Sequence, residues 1–106
     1  MTSTWKYTLY AAHGRIYAEN VDGKLIDIGA LHQEGGSYGF RLDTDNVRAD
    51  GFDTPEQALR AIGSTVTLPY LDGQFTALAD ARREADLQGD VPRAVIVLSE
   101  HRAPAG

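Results

Sequence analysis

The first 43 residues constrain the fold most, because they alternate apolar and polar side chains between short turn signals. A period of two is typical of a strand with one buried face. Glycine marks each turn, since it adopts positive φ at little cost. We therefore predict an antiparallel meander of four strands. The strands are residues 5–12, 15–21, 24–31 and 38–43, with turns at 13–14, 22–23 and 34–37.

A helix is predicted to begin after residue 53. Thr54 suits the N-cap, Pro55 suits the first helical position, and Gln57 completes a capping-box pattern with Thr54. Gly63 is expected to end this helix. Its buried face should consist of Ala58, Leu59 and Ile62.

The C-terminal half predicts a second helix and one more strand. Residues 64–71 are ambiguous, because Thr and Val favour extended backbone whereas Pro69 argues against a central strand. We expect a helix over 74–88, and a strand at 94–98 that is covered on both faces. The inward side chains of this helical region should be Leu71, Phe75, Leu78 and Ala85.

Together these elements predict an α+β fold in the order ββββ-α-α-β, with an antiparallel sheet of four to five strands and two helices packed on it. A length of 106 residues fits one domain, which we place at residues 1–100, with a flexible tail at 101–106.

Composition narrows the classes of function. The chain has no cysteine, which excludes disulfides, thiolate zinc sites and a cysteine nucleophile and suits a cytoplasmic location. No apolar run approaches the ~20 residues of a membrane span, so no membrane partner is predicted. A net charge of −5 disfavours a nucleic-acid partner, while leaving room for a local basic patch.

One sheet face is a candidate binding surface. If the turns at 13–14 and 22–23 each contain two residues, Tyr10 and Tyr17 lie opposite each other and close to Ile28. Tyrosines on a sheet face suit protein recognition, because they combine contact area with a polar tip. A covering helix and a homodimer through this face are the alternative explanations. A bulge that changes the register is a further alternative.

An acidic stretch is the second candidate. Its members are Asp43, Asp45, Asp50 and Asp53, and it could meet a basic partner or mimic nucleic-acid charge. A solvated loop that favours the following helix N-terminus explains the same residues. Val47 stands where an EF-hand loop requires an oxygen ligand and Thr54 where it requires a bidentate Glu, so calcium is not predicted.

Catalysis has a weaker basis. His32 and Glu34 could act as an acid–base pair in a small enzyme with a pocket between sheet and helices, although the end of a hairpin is the better explanation for them. The three histidines, His13, His32 and His101, lack metal-ligand spacing, and no nucleophile elbow or phosphate loop is present. We predict neither a metal nor a cofactor.

Residues 36–42 (Gly-Ser-Tyr-Gly-Phe-Arg-Leu) and 51–59 (Gly-Phe-Asp-Thr-Pro-Glu-Gln-Ala-Leu) resemble the βββα passage of HicB-type antitoxins. A similar strand and capped helix occur in arm-binding domains of phage integrases. The resemblance covers about a quarter of the chain and implies a nucleic-acid-associated regulator. In that case Lys6, Arg15, Lys24 and Arg41 would form a basic strip. The Pro-Asp-Leu-Pro-Gly stretch expected of the antitoxins is not in the sequence.

The prediction that these observations favour is a non-catalytic protein-binding or regulatory module. It would act through the face of Tyr10, Tyr17 and Ile28 or through the acidic stretch, with a protein partner or a second copy. The nucleic-acid regulator and the small enzyme are the alternatives.

Overall fold

A computed structural model describes residues 3–43, 47–85, 87 and 89–100 of the chain. It confirms the α+β class, with one strand more than the predicted order contains. The strands are β1 (Ser3–Ala12), β2 (Arg15–Glu19), β3 (Leu25–Glu34), β4 (Ser37–Leu42), β5 (Arg48–Phe52) and β6 (Arg93–Glu100). The helices are α1 (Pro55–Thr65), α2 (Leu68–Ala77) and the single turn α3 (Arg82–Ala85).

The six strands form one antiparallel sheet in the order β5-β4-β3-β2-β1-β6. Helix α1 contacts β4 and β5 near one end of this order and β1 and β6 at the other. The sheet therefore curls around α1, and the main hydrophobic core lies on this concave face. We call the other face of the sheet the outer face.

Strand β5 was missed by the sequence analysis. Ala49 and Phe52 pack against the core, but the two-residue period between them is broken. Asp50 and Gly51 together oppose Gly39 of β4, and Gly51 has a φ of 90°. This β-bulge inserts one extra residue, which erases the alternation by which a strand is detected.

The first turn is confirmed, and the second is wrong. His13 and Gly14 form a two-residue turn with φ values of 55° and 73° between paired residues 12 and 15. The predicted two-residue turn at 22–23 has three residues instead. Asn20 accepts a hydrogen bond from Gly23 N (3.1 Å), and its own N–H donates to Lys24 O (3.1 Å). Such loops combine a type I turn with a positive-φ glycine.

This longer turn shifts the register between β2 and β3. Tyr17 pairs with Asp27, whereas Ile16 pairs with Gly29, so Ile28 is the extra residue of a bulge. A shift of one residue moves side chains to the opposite face. Ile28 consequently packs in the main core beneath the helices, and Tyr17 lies on the outer face.

Helix α1 begins where the sequence predicts and extends beyond its predicted end at Gly63. Thr54 Oγ1 accepts from Gln57 N (3.1 Å), and Gln57 Oε1 accepts from Asp53 N (3.0 Å). The predicted buried face of Ala58, Leu59 and Ile62 is confirmed. Gly63 does not end the helix, which continues to Thr65. It allows a close approach to β6, because a Cβ at this position would lie 2.7 Å from Ile96 Cγ2.

Helix α2 both begins and ends earlier than the predicted 74–88, and the turn α3 follows it separately. Thr67 caps it by accepting from Tyr70 N (3.3 Å), and Pro69 lies in its first turn. This is the same Thr-then-Pro signal that starts α1, here hidden by the preceding β-branched residues. Leu71 and Phe75 are buried as predicted, whereas Ala85 lies in α3 on the outer face.

Strand β6 is an edge strand and not a central one. Among the described strands it pairs only with β1, and its described side chains alternate between exposed and buried. The predicted tail at 101–106 lies outside the described residues. Within the part of the chain that the structure describes, no helix is long and apolar enough to cross a membrane.

The packing of α1 on β6 yields a prediction with a matched control. Gly63→Ala should lower the free energy of unfolding by about 1–3 kcal/mol, because the new methyl group overpacks the Ile96 side chain. In α2, a Cβ on Gly73 meets no atom within 4 Å. Gly73→Ala should therefore stabilise the protein by about 0.5–1 kcal/mol through helix propensity.

Urea unfolding followed by circular dichroism measures both variants. The account of α1 packing is wrong if the two alanines change stability in the same direction.

Candidate protein-binding edge

Strand β6, at one edge of the sheet, exposes two large aliphatic side chains on the outer face. Val95 and Val97 are each 55% exposed, and Val21, at a turn, is the only other large aliphatic side chain so exposed among the described residues. The intervening Ala94, Ile96 and Leu98 point into the core. A strand with such alternation has one face available to a partner.

The backbone of β6 also has a defined direction. Pro92 O accepts a hydrogen bond from Ala11 N (2.9 Å), at the position that continues the β1–β6 register. In an antiparallel pair, every second residue directs both its N–H and its C=O to the same neighbouring strand. Even-numbered residues of β6 therefore bond to β1. The backbone groups of residues 93, 95, 97 and 99 point to the open edge.

The charged residues of β6, Arg93 and Glu100, lie at its two ends, and its middle carries no protecting residue. Residues 94–99 contain no proline, glycine or charge, and the pairing with β1 shows no register shift. The opposite edge, β5, is short, bulged at Gly51 and charged at Arg48 and Asp50. Bulges and charges are the usual devices against edge-to-edge pairing. The two edges of one sheet thus differ in their protection.

This edge was missed because residues 94–98 were predicted to be covered on both faces, as a central strand would be. The run of valine and isoleucine suits a central strand and an unprotected edge strand equally well. Pro92 does not separate the two, since proline is tolerated at the start of a strand as well as on an edge strand.

A groove lies beside β6 on the helix side. It measures about 450 Å³ and is lined by the end of α1, the α1–α2 connection and the last residues of β6. A second groove of about 300 Å³ shares Leu68 and Pro69 with it and reaches Trp5 and Asp72. Apolar residues that line the first groove on the helix side include Val66, Leu68, Pro69 and Leu98. The edge therefore has an apolar recess next to its backbone.

The structure does not bring together the residues of the predicted sheet face. Ile28 is 2% exposed in the main core, on the opposite face from the tyrosines. Tyr17 is 4% exposed and packs in a small separate cluster with Leu25 and Ala85 beneath α3. Tyr10, at the border of that cluster, is half-buried. A partner role for these three residues stays a prediction.

Tyr10 belongs to a polar network on the outer face. Its hydroxyl donates to Glu19 Oε1 (3.2 Å), and Arg93 lies over its ring, 5.4 Å from the centroid. Arg82 of α3 donates to Glu19 Oε2 (2.8 Å) and to Gly23 O. Burial and the Glu19 carboxylate raise the pKa of Tyr10 above its ordinary value of 10.0. The hydrogen bonds of Arg82 hold α3 over the cluster that contains Tyr17.

The predicted acidic stretch is dispersed by the fold. Asp43 forms an ion pair with Arg15 (2.5 Å), and Asp50 lies on β5. Asp53 precedes α1, and its backbone N–H is bound by Gln57. Asp45 lies outside the described residues. The described members occupy separate structural positions, and their role in binding stays a prediction.

His32 and Asp50 meet across β4. His32 Nε2 lies 2.5 Å from Asp50 Oδ1, and the two side chains span the space above Gly39, where a Cβ would strike both. Glu34, Ser37 and Tyr38 line a recess of about 300 Å³ beside them. Both members of the pair are substantially exposed, and this recess is not between the sheet and the helices. Acid–base chemistry by His32 and Glu34 stays a prediction.

The predicted basic strip is interrupted. Arg15 Nε donates to both carboxylate oxygens of Asp27 (3.0 and 3.1 Å), and its pKa is raised chiefly by this hydrogen bond. Asp43 binds the same guanidinium. Lys24 Nζ donates to Phe75 O of α2 (2.5 Å). Two of the four predicted cations are therefore engaged within the protein.

Among residues 3–43, 47–85, 87 and 89–100, no group of three histidine or carboxylate side chains is arranged to hold a metal ion. No family model, curated protein or solved structure matches the chain. The resemblance to HicB-type antitoxins stays a prediction from the quoted residues. Functional assignment consequently depends on the geometry of the chain itself.

The Tyr10 network predicts an alkaline pH dependence. A pKa that is raised on folding stabilises the protein fully below the unfolded value and loses this effect as pH rises through the folded value. Tyr10→Phe should therefore be less stable than wild type near pH 8, because the Glu19 hydrogen bond is lost. Above about pH 10, the stability of this variant should decline less steeply than that of wild type.

Urea unfolding at a series of alkaline pH values measures both slopes. Parallel declines for wild type and variant would show that the Tyr10 hydroxyl does not contribute to the dependence.

Proposed function

We propose that this protein is a non-catalytic protein-binding module that pairs the open edge of β6 with an extended segment of a partner protein. The class of function is the one that the sequence favours, and the surface is a different one. The observation that carries the proposal is the contrast between the unprotected edge at β6 and the protected edge at β5.

The backbone of β6 would supply the affinity. The residues that face the edge offer a row of donors and acceptors for one more antiparallel or parallel strand. In strand addition, such main-chain hydrogen bonds provide most of the binding, and pockets for alternate side chains provide specificity. Val95 and Val97 would lie beside the incoming strand on the outer face and favour β-branched or aliphatic neighbours there.

The groove beside α1 and α2 would supply the specificity. Alternate side chains of the incoming strand would point to the helix side, where Val66, Leu68, Pro69 and Leu98 offer an apolar recess. The partner segment should therefore be extended and aliphatic on both faces near its centre. A recess of a few hundred Å³ accommodates one or two such side chains.

Other functions have less support. The guanidinium of Arg15 is neutralised by two aspartates, which weakens the basic strip that a nucleic-acid regulator would require. The His32–Asp50 pair is exposed, with no enclosed site around it. The proposal keeps the cytoplasmic location, because a cysteine-free chain suits a reducing compartment.

Strand addition is tested with a labelled peptide of the sequence of residues 92–100, which is an aliphatic strand of the predicted kind. We expect the full-length protein to bind it in a fluorescence anisotropy titration. Val95→Pro should weaken binding by about tenfold or more, since it deletes an edge-facing N–H and leaves the hydrogen bonds to β1 in place.

Three controls accompany this variant. Val95→Thr retains the N–H and should bind more tightly than Val95→Pro. Val21→Thr changes an exposed valine in the turn after β2, which β1 separates from the edge, and should bind like wild type. A peptide that carries proline at both valine positions should not bind. Circular dichroism reports folding. Equal affinities for wild type and a folded Val95→Pro would refute strand addition at β6.

A further inference from the structure

We infer that the strand accepted by the β6 edge is β6 of a second copy of this chain, in an antiparallel pair around a two-fold axis. This inference rests on the proposed function and adds the identity of the partner. Strand β6 is itself a short, extended, aliphatic segment, so the edge and its ligand are the same sequence. Its inward side chains stay in the core of their own copy, so this pairing uses the backbone edge and the outer face and not the groove. A two-fold interface requires such self-complementarity.

The open edge selects one register. Arg93, Val95, Val97 and Ser99 direct their backbone groups away from β1. With the two-fold axis at Ile96, residue 93 faces 99 of the second copy and 95 faces 97, so that all four residues pair. Each facing pair then exchanges two hydrogen bonds. A shift of two residues in either direction leaves one edge-facing residue of each copy outside the ladder.

This register also pairs compatible side chains. On the outer face, Val95 lies opposite Val97 of the second copy, and the symmetry repeats the contact. The two half-exposed valines of each copy thus bury one another, and β-branched cross-strand pairs stabilise a sheet. On the helix side, the large Leu98 lies opposite the small Ala94 of the second copy. The exposed valines, which otherwise face water, become the centre of the interface.

Charge does not oppose this arrangement. The described residues with side chains on the outer face of β1 and β6 include two cations, Lys6 and Arg93, and no carboxylate. In the antiparallel pair, the two copies of Arg93 are offset by six residues, or about 20 Å along the strands. This separation exceeds the Debye length of about 8 Å at physiological ionic strength. The net charge of −5 per copy is therefore carried by carboxylates elsewhere.

The size of the contact predicts a reversible dimer. Stable interfaces bury about 1,200–2,000 Å² in total. Four half-exposed valines cover only part of this area, and the ladder supplies mainly polar contacts. We therefore expect a concentration-dependent monomer–dimer equilibrium, with a dissociation constant in roughly the micromolar range.

Analytical ultracentrifugation of the full chain tests the inference. Wild type should convert from monomer to dimer with increasing concentration. Val97→Lys should raise the dissociation constant by about tenfold or more, because the charge meets Val95 of the second copy on both sides of the axis. Val21→Lys adds the same charge at an exposed valine that is not on the edge, in the turn after β2, and should dimerise like wild type. Circular dichroism verifies that both variants are folded.

The register is tested by disulfide cross-linking. Because the chain has no native cysteine, an introduced thiol can pair only with another introduced thiol. Val95→Cys and Val97→Cys each introduce a single thiol. Facing residues have Cα atoms about 5.5 Å apart, within disulfide range, whereas diagonal neighbours are about 7–8 Å apart. Oxidation should cross-link a mixture of the two variants more extensively than either variant alone.

The outcomes separate this inference from the proposed function. A monomer at every concentration that still binds the peptide of residues 92–100 refutes the dimer and leaves strand addition intact. A monomer that binds no peptide refutes both. A dimer that Val97→Lys does not weaken, or that cross-links equally well in the single-variant samples, refutes this interface and register.

Discussion

The packing of α1 against β6 is the contact on which the rest of the structure depends. Gly63 has no side chain, so the helix approaches Ile96 closely and holds β6 against β1. The same helix also contacts β4 and β5, which lie toward the other end of the strand order. The sheet curls around this one helix. Packing on the inner side of β6 leaves its outer side and its backbone edge available.

The two edges of the sheet, β5 and β6, differ in how strongly they discourage pairing with another strand. An edge strand presents unsatisfied donors and acceptors, and these must be solvated, covered or paired. At β5 the bulge at Gly51 and the charges of Arg48 and Asp50 discourage pairing. At β6 a regular ladder, two exposed valines and an apolar groove favour it. Neither the small cluster of Tyr17, Leu25 and Ala85 beneath α3 nor the dispersed aspartates forms a continuous exposed surface like that of β6.

Much of the fold could be predicted from local signals, and the candidate site could not. The turn at His13–Gly14, the Thr54 cap and the buried face of α1 follow from chemistry within a few residues. The three-residue turn at Asn20 and the bulges at Ile28 and Gly51 each insert one residue into a ladder, and a single insertion reverses a face. The predicted face of Tyr10, Tyr17 and Ile28 was lost for this reason. The position of β6 depends on long-range pairing with β1, which its own residues do not encode.

Amide hydrogen exchange of β6, followed by NMR, tests the central claim most directly. In a dilute sample, the amides of Ala94, Ile96 and Leu98 should exchange slowly, because they bond to β1, whereas those of Val95 and Val97 should exchange rapidly. Raising the protein concentration should protect the two valine amides as the second copy pairs. Uniform protection at high dilution would mean that the edge is already covered within one chain. Rapid exchange of both valines at every concentration would contradict the self-pairing of this edge.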